Sequence, residues 1–175
     1  VSIGRSQVFH NPQLALLRRA LAAAPACVVV LGSAFQARSP RNPFRWEERA
    51  ETIRAALPEA DRERIAFLPV RDWYDQARWA EAVRQAVARL HPGASSVLLV
   101  GHLKDDTSSY LRAFPEWAHD EAGRQGDISA SALRDAYFEA PADASIASIT
   151  SSIPTASAWM SSRSKGVTKL ESRRR

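Results

Sequence analysis

The chain has almost no cysteine: Cys27 is the single one among 175 residues. A lone thiol forms no disulfide within the chain, and a zinc site built on several cysteines is excluded. Cys27 opens the apolar run CVVVLG, where a buried and inert thiol is favoured over a reactive one. The sequence therefore predicts neither disulfide nor thiol chemistry.

Long apolar runs are missing as well. No stretch approaches the roughly 20 apolar residues that a membrane-spanning helix needs. The first residues lack the basic segment followed by an apolar one that marks a secretory leader. We therefore expect a cytoplasmic protein with no membrane partner.

Most of the chain also lacks an excess of charge of one sign, although the net charge is +5. The segment 163–175 contains six basic residues and one acidic residue, so it accounts for the whole excess. A basic tail can hold phosphates loosely through counterion release. A nucleic-acid platform, however, needs basic residues clustered on the folded body. Nucleic acid is therefore not an expected partner.

What the sequence does contain is an alternation of short apolar strands and amphipathic helices. Strands are predicted at 1–3, 27–32, 65–70 and 96–100. Helices are predicted at 11–24, 46–57, 78–90, 107–114 and 129–138. Asn11 is the expected N-cap of the first helix, with Pro12 as its first helical residue. This order predicts a doubly wound α/β fold, a parallel sheet of about four or five strands with helices on both faces.

A polar loop follows each predicted strand at its carboxyl end. These loops cover 4–11, 32–42, 71–76 and 101–107. In open α/β sheets, ligands bind beyond the carboxyl ends of the strands. The four loops therefore predict an active-site cleft at this edge of the sheet.

Segments in these loops, and one further along the chain, carry a family resemblance. They read GRSQVFHNPQ (4–13), GSAFQARSPRNPFRWEER (32–49), RDWYDQARW (71–79) with GHLKDDTSSYLRAFP (101–115), and ISASALR (128–134). In this order they resemble the archaeal-type nicotinamide-nucleotide adenylyltransferases, including those fused to a Nudix domain. These enzymes belong to the nucleotidyltransferase superfamily. The resemblance thus implies the same Rossmann-like α/β fold that the strand and helix pattern predicts.

The resemblance also implies an activity. AMP would be transferred directly from ATP to nicotinamide mononucleotide, giving NAD and pyrophosphate without a covalent enzyme intermediate. The expected partners are ATP and nicotinamide mononucleotide, and a homo-oligomer is compatible with the sequence. Mg²⁺ would arrive with ATP, so neither a protein-held metal site nor a tightly bound cofactor is expected.

Three catalytic residues are implied by the resemblance: His10, Arg41 and Arg134. His10 directly precedes a predicted helix N-terminus, a place that favours anions. Arg41 stands in the polar loop after the second strand, where Arg38 and Arg45 are competing candidates for the phosphate-binding arginine. Arg134 ends the ISASALR segment and would reach the triphosphate.

The remaining implied contacts fall into two groups. The ATP and phosphate contacts are Arg5, Gln13, Gly32, Ser33, Gly101, Ser129 and Ser131. Nicotinamide mononucleotide would be bound by Asp72, through its carboxamide or ribose, and by Trp79. An indole face suits the cationic pyridinium ring, although the spacing of Trp79 alone equally fits a core tryptophan. Lys104 and Asp105 shape the nucleotide pocket or only pair with each other.

The first motif departs from the family pattern, which usually reads GRFQPFHxGH. Gln13 replaces a second histidine, and a neutral donor stabilises developing charge less than a charged one. Pro12 replaces a glycine that lets phosphate approach the backbone, while Ser6 and Val8 alter the packing of the loop. Arg45 stands where a threonine N-cap is usual, at an expected cost of about 1 kcal/mol. Two alternatives therefore stay open: a catalytically impaired nucleotide-binding remnant, or another adenylyl- or cytidylyltransferase of the superfamily.

The domain organisation follows from a change in composition after Ala140. We expect a nucleotidyltransferase domain over 1–140 and an extension over 141–175, Ser/Ala-rich at first and basic at its end. The extension fits a helical cap over the nucleotide, a linker or a disordered segment. It contains no Nudix signature, and the chain starts close to the first loop without methionine. The expectation is a fragment of a Nudix-fused protein or a degenerating copy.

Overall fold

The computed structural model describes residues 1–101, 112–122 and 133. Five parallel strands form one sheet in the order β3-β2-β1-β4-β5. The strands are β1 (Ser2–Gly4), β2 (Cys27–Leu31), β3 (Ile65–Pro69), β4 (Leu98–Gly101) and β5 (Ala118–Glu121). The helices are α1 (Asn11–Ala23), α2 (Trp46–Ala55), α3 (Glu59–Arg62) and α4 (Gln76–Leu90). The predicted α/β fold with a parallel sheet is confirmed.

Strand β2 lies in the middle of the hydrophobic core because both of its faces are covered. Cys27, Val29 and Leu31 pack in one cluster with apolar residues of α1 and α2. Val28 and Val30 point the other way and pack with apolar residues of α4. Helices therefore cover both faces of the sheet, and the continuous apolar run of β2 reflects that burial. Cys27 is buried, as predicted, and burial raises the pKa of its thiol.

The start of α1 differs by one residue from the prediction. The backbone N–H groups of Gln13 and Leu14 both donate to the carbonyl oxygen of His10, at 2.9 and 3.0 Å. His10 is therefore the N-cap, Asn11 is the first helical residue, and Pro12 is the second. Because Pro12 still lies in the first turn, its missing N–H leaves no helical hydrogen bond unmade.

Two elements were not predicted, β5 and the short helix α3. The sequence of β5 is AHDE, which has no apolar run, and three of its four residues are exposed. It joins the sheet at the edge by pairing with β4, from Leu98 opposite Ala118 to Gly101 opposite Glu121. Arg19 of α1 also holds Asp120 through two hydrogen bonds, at 2.6 and 2.7 Å. Backbone pairing and this ion pair, rather than hydrophobic pattern, place the strand.

Several predicted segments lie outside the described residues. They include residues 107–111 of the helix predicted at 107–114, all of the helix predicted at 129–138 except residue 133, and the whole extension 141–175. Of the helix predicted at 107–114, Arg112 and Ala113 form a short 3₁₀ turn. Among the helices that are described, none has the length and apolarity to span a bilayer.

Arg45 occupies the N-cap position of α2. Its backbone N–H donates to Glu48 Oε2 at 2.8 Å, which completes half of a capping box. A guanidinium has no acceptor for the first-turn N–H groups, so the other half does not form. We expect Arg45→Thr to raise the free energy of unfolding by about 1 kcal/mol. Urea denaturation measures the change.

The matched control for this variant is Arg45→Ala, which removes the guanidinium and supplies no acceptor. It should leave the free energy of unfolding at or below the wild-type value. If the threonine and alanine variants were equally stable, a side-chain cap at this position would contribute nothing.

Candidate functional site

A cleft of about 530 Å³ opens at the carboxyl ends of β1, β2 and β3. Within the described part of the chain, it is lined by Ile3, Gly4, Arg5, Gly32, Ser33, Asp72, Trp73, Tyr74, Gln76 and Trp79. Five residues singled out from the sequence therefore share one cavity: Arg5, Gly32, Ser33, Asp72 and Trp79. The cleft offers a cation, a carboxylate and aromatic faces to one ligand.

The ends of β1 and β2 lie side by side in this cleft. The Gly32 N–H donates to the Gly4 carbonyl at 3.0 Å, which extends the strand pairing by one bond. A side chain added at Gly32 would come within 3.8 Å of the Arg5 side chain. That distance is an ordinary van der Waals contact, so a small side chain would fit at Gly32 and would lie against Arg5.

Ser33 and Asp72 connect the end of β2 to the loop after β3. The Ser33 backbone N–H donates to Asp72 Oδ1 at 3.1 Å, and its hydroxyl lies 2.8 Å from Oδ2. Gln36 Nε2 also donates to Oδ2, at 2.7 Å. Ser33 has a positive φ of 50°, which is uncommon for a non-glycine residue. The bonds to Asp72 hold this turn in place, and the exposed carboxylate keeps further acceptor capacity.

Trp79 takes part in both the cleft and the core. Its ring is half-buried on α4 and meets Phe114 edge-on, with the centroids 5.8 Å apart. Phe114 in turn stacks on Trp117 at 4.2 Å. Trp79 therefore packs against the hydrophobic core and also lines the cleft, so its position fits both a core tryptophan and a ligand-binding one.

Two aromatic residues of the cleft were not assigned from the sequence, Trp73 and Tyr74. Tyr74 is fully exposed, while Trp73 lies beneath the Arg78 guanidinium, 5.1 Å from the ring centroid. The signal was available, because both lie inside the RDWYDQARW segment between Asp72 and Trp79. They make this rim of the cleft strongly aromatic.

His10 and Gln13 lie at the N-terminus of α1. His10 is buried, with a 4% exposed fraction, and its carbonyl receives the first helical bonds. The side-chain oxygen of Gln13 is buried and has no hydrogen-bond partner among the described residues. Within the described residues, the Gln13 amide therefore has an unused acceptor beside the first turn of α1.

The loops after β1 and β2 are tied together by Gln7, which was not predicted as a site residue. Gln7 is buried; its amide nitrogen donates to Asn42 Oδ1 at 3.2 Å, and its oxygen accepts from the Phe44 N–H at 3.1 Å. Its place in the GRSQ motif was the available signal. Gln7 fixes the loop that carries Arg41 against the loop that carries His10.

The candidate arginines of the second loop differ in their surroundings. Arg38 donates to the Pro43 carbonyl and to Glu48, both at 2.7 Å, so it holds the loop and the start of α2. Arg41 is exposed and is not among the described residues that line the cleft. Arg45 lines a second cavity of about 390 Å³ beside α2.

Arg49 is the buried arginine that sequence reasoning missed. Its guanidinium donates to the carbonyl oxygens of Arg5 and Gly32, the latter at 2.8 Å. Burial lowers the pKa of Arg49 to about 10, an effect that the charge of Arg5 reinforces and those of Glu47 and Asp72 oppose. Arg49 therefore remains charged at neutral pH.

Other predicted site residues lie apart from the cleft or outside the described residues. Gly101 ends β4 in a buried position, and its carbonyl accepts from Ala122 at 3.1 Å. Ser129, Ser131 and Arg134, together with Lys104 and Asp105, fall outside the residues that the structure describes. Within the described residues, no group of three or more His, Cys, Asp or Glu side chains could hold a metal ion.

The sequence is similar to curated proteins of one kind, although no protein-family model matches it. It is 39% identical over 140 residues to the nicotinamide/nicotinic acid mononucleotide adenylyltransferase of Acinetobacter baylyi, covering 79% of this chain and 74% of that protein. It is 30% identical over 118 residues to the nicotinamide-nucleotide adenylyltransferase of Halobacterium salinarum, covering 67% and 66%.

Solved structures that resemble this chain also include NMN adenylyltransferases. A crystal structure of a bifunctional NMN adenylyltransferase/ADP ribose pyrophosphatase from Francisella tularensis, complexed with AMP and a Mn ion, matches with a TM-score of 0.71 and 28% identity. The match covers 80% of this chain and 42% of the Francisella chain, so this chain spans about two fifths of that fused protein. The five-stranded parallel sheet is thus the Rossmann-like fold of the nucleotidyltransferases. With 39% identity across about three quarters of the Acinetobacter protein, this chain belongs to the nicotinamide/nicotinic acid mononucleotide adenylyltransferase family.

Proposed function

We propose that this protein transfers the AMP unit of ATP to nicotinamide mononucleotide, giving NAD and pyrophosphate. The observation that carries the proposal is the cleft beyond β1, β2 and β3, which combines Arg5, Asp72 and Trp79 in a chain of this family. A cation suits phosphate, a carboxylate accepts hydrogen bonds from amide or hydroxyl groups, and an indole face suits a cationic pyridinium ring.

The proposed reaction is a direct displacement at phosphorus. An oxygen of the mononucleotide 5′-phosphate attacks the α-phosphorus of ATP, while the bond to the β-phosphate oxygen breaks and pyrophosphate leaves with Mg²⁺. Mg²⁺ enters as part of the substrate MgATP. Such a transfer needs alignment and positive charge more than it needs a nucleophilic side chain.

The catalytic roles follow from charge and position. His10, buried at the N-cap of α1, stands where helix N–H groups and the helix dipole favour an anion, and we assign it to the ATP phosphates. Arg41 and Arg134 are assigned to the same phosphates as the other catalytic cations. Two features of Arg41 support this role. Its residue is exposed and so accessible to a ligand, and its loop is held in place by the hydrogen bond between Gln7 and Phe44.

The remaining contacts divide between the two substrates. Asp72 and Trp79 bind the nicotinamide mononucleotide. The ATP side is assigned to Arg5, Gln13, Gly32, Ser33, Gly101, Ser129 and Ser131. The nucleotidyltransferase domain is assigned to 1–140, with 141–175 as an extension, and the cytoplasm is the proposed location.

A second candidate function is ATP binding with little or no turnover. The observation that favours it is the first turn of α1, where Pro12 replaces glycine and the Gln13 side-chain oxygen is buried without a partner among the described residues. Such a protein would keep Arg5 and His10 for binding, but it would have only a neutral donor, Gln13, for the charge that grows as pyrophosphate leaves.

Trp79 provides the sharpest test of substrate recognition. Trp79→Ala should weaken the binding of nicotinamide mononucleotide by roughly 1–3 kcal/mol, the range known for stacking on aromatic side chains. The affinity for ATP should change little, because Trp79 is assigned to the mononucleotide and not to the ATP side. Isothermal titration calorimetry with each ligand measures both affinities.

Trp117→Ala is the matched control because it removes an indole from the same aromatic cluster. Trp117 stacks on Phe114, as Trp79 contacts Phe114, but it is not among the described residues that line the cleft. Both variants should lower the melting temperature, and only Trp79→Ala should lower mononucleotide affinity. Equal affinity losses in the two variants would mean that Trp79 acts only as a core residue.

A further inference from the structure

Arg49 is a charged residue in the interior of the domain. Its exposed fraction is 2%, and it ranks among the largest fully buried side chains of the described residues. Nη1 donates to the carbonyl oxygens of Arg5 and Gly32, the latter at 2.8 Å, and Nη2 lies 3.5 Å from the Ser33 carbonyl. A buried arginine is costly unless its donors are satisfied. The three carbonyl oxygens accept from Nη1 and Nη2, whereas Nε is buried without a partner among the described residues.

The three acceptors belong to the cleft. Arg5 directly follows β1, while Gly32 and Ser33 directly follow β2, and all three residues line the cavity. A guanidinium is planar and presents its donors in a fixed fork. One rigid group therefore links the end of β1 to the end of β2, in addition to the backbone hydrogen bond from Gly32 to Gly4.

The geometry points to Arg49 as a positioning residue for the adenylyl transfer: it holds the backbone of Arg5 in register with that of Gly32 and Ser33. This inference rests on the proposed function. Arg5 is assigned to the ATP phosphates, whereas Ser33 orients Asp72, which is assigned to the mononucleotide. A shift between the two strand ends would therefore misalign the attacking phosphate and the α-phosphorus without removing any ligand contact.

The test compares Arg49→Lys with Arg54→Lys on the same helix. Lysine keeps the charge but loses the planar fork. Arg54 is exposed and contacts the Phe67 ring at 4.8 Å, away from the cleft, so it is a matched control. For Arg49→Lys we expect kcat to fall about 100-fold while KM for each substrate stays within about threefold of wild type. Arg54→Lys should keep the wild-type kcat.

Hydrogen exchange gives a readout that needs no turnover. The Gly32, Ser33 and Ala34 amides donate to Gly4, Asp72 and Val70, so we expect them to be protected from exchange in the wild type. In Arg49→Lys these amides should exchange at least about tenfold faster, while amides in the middle of α4 keep their wild-type rates. A purely stabilising role would instead raise exchange throughout the core.

The two readouts separate failure of this inference from failure of the proposed function. If wild type makes no NAD, the proposed function fails, yet locally faster exchange in Arg49→Lys alone still supports the positioning role. Unchanged exchange at Gly32, Ser33 and Ala34, or an increase spread evenly over the core, overturns it. A kcat loss explained entirely by a smaller folded fraction overturns it too. If Arg49→Lys does not fold, Arg49→Gln is measured in the same way.

Discussion

The double variant Pro12→Gly/Gln13→His is expected to have a kcat about 100-fold higher than wild type. This is the size of the effect of one hydrogen-bond donor placed at the phosphates. The charge on the bridging oxygen grows only as pyrophosphate leaves, so the added histidine acts on turnover rather than on binding. Arg5 and His10 remain in place, and the Kd for ATP should stay within about threefold of wild type. Initial rates of NAD formation and calorimetric titration with ATP measure the two quantities.

The single variants separate the two parts of this prediction. Gln13→His alone replaces a neutral donor, whose oxygen is buried without a partner among the described residues, by a group that can donate to phosphate as a cation, so it should supply most of the gain. Pro12→Gly alone should change kcat little and should cost up to about 1 kcal/mol in stability, because glycine is a poor helix former. A double variant that binds ATP while its turnover stays at background would instead favour the binding-only candidate.

His10→Ala is expected to lower kcat by a factor of about 100 to 1,000, the loss seen when one preorganised donor is removed. His10 is buried at the N-cap of α1, so its position is fixed by the helix and not by the ligand. The expected change in ATP affinity is smaller than the change in kcat, since the donor acts most strongly on the transition state. Single-turnover rates at saturating ATP report the chemical step.

His10→Asn is the control for a structural effect at this position. Asparagine is a good N-cap and keeps a neutral donor, so it should preserve the melting temperature and recover part of the lost rate. If His10→Ala retained the wild-type single-turnover rate, the assignment of His10 to the phosphates would be wrong.

The fold could be predicted largely because its signals are local. The run CVVVL is apolar at every position, and β2 is indeed buried on both faces, with helices following at the expected spacing. Strand β5 could not be found in the same way, because AHDE contains no pattern of buried residues. Its position depends on pairing with β4 and on the bond between Arg19 and Asp120, both of which join residues distant in sequence.

Residues of the candidate cleft could be predicted where they belong to a sequence motif. They could not be predicted where their role depends on backbone groups that are distant in sequence. Asp72 and Trp79 share a cleft with Arg5, as the order of strands implies. Arg49 reads in the sequence as an ordinary charged residue in a polar helix, and charged residues are rarely buried. Its burial depends on carbonyl groups at the ends of two strands, which become neighbours only in the folded sheet.

The most direct measurement is the formation of NAD and pyrophosphate by the wild-type protein incubated with MgATP and nicotinamide mononucleotide. NAD is quantified by chromatography and pyrophosphate by a coupled assay, with and without EDTA to remove Mg²⁺. An adenylyltransferase gives the two products in equal amounts, at a rate that Trp79→Ala lowers and EDTA abolishes. Pyrophosphate without NAD, or ATP binding with no product after extended incubation, would contradict the proposed transfer to nicotinamide mononucleotide.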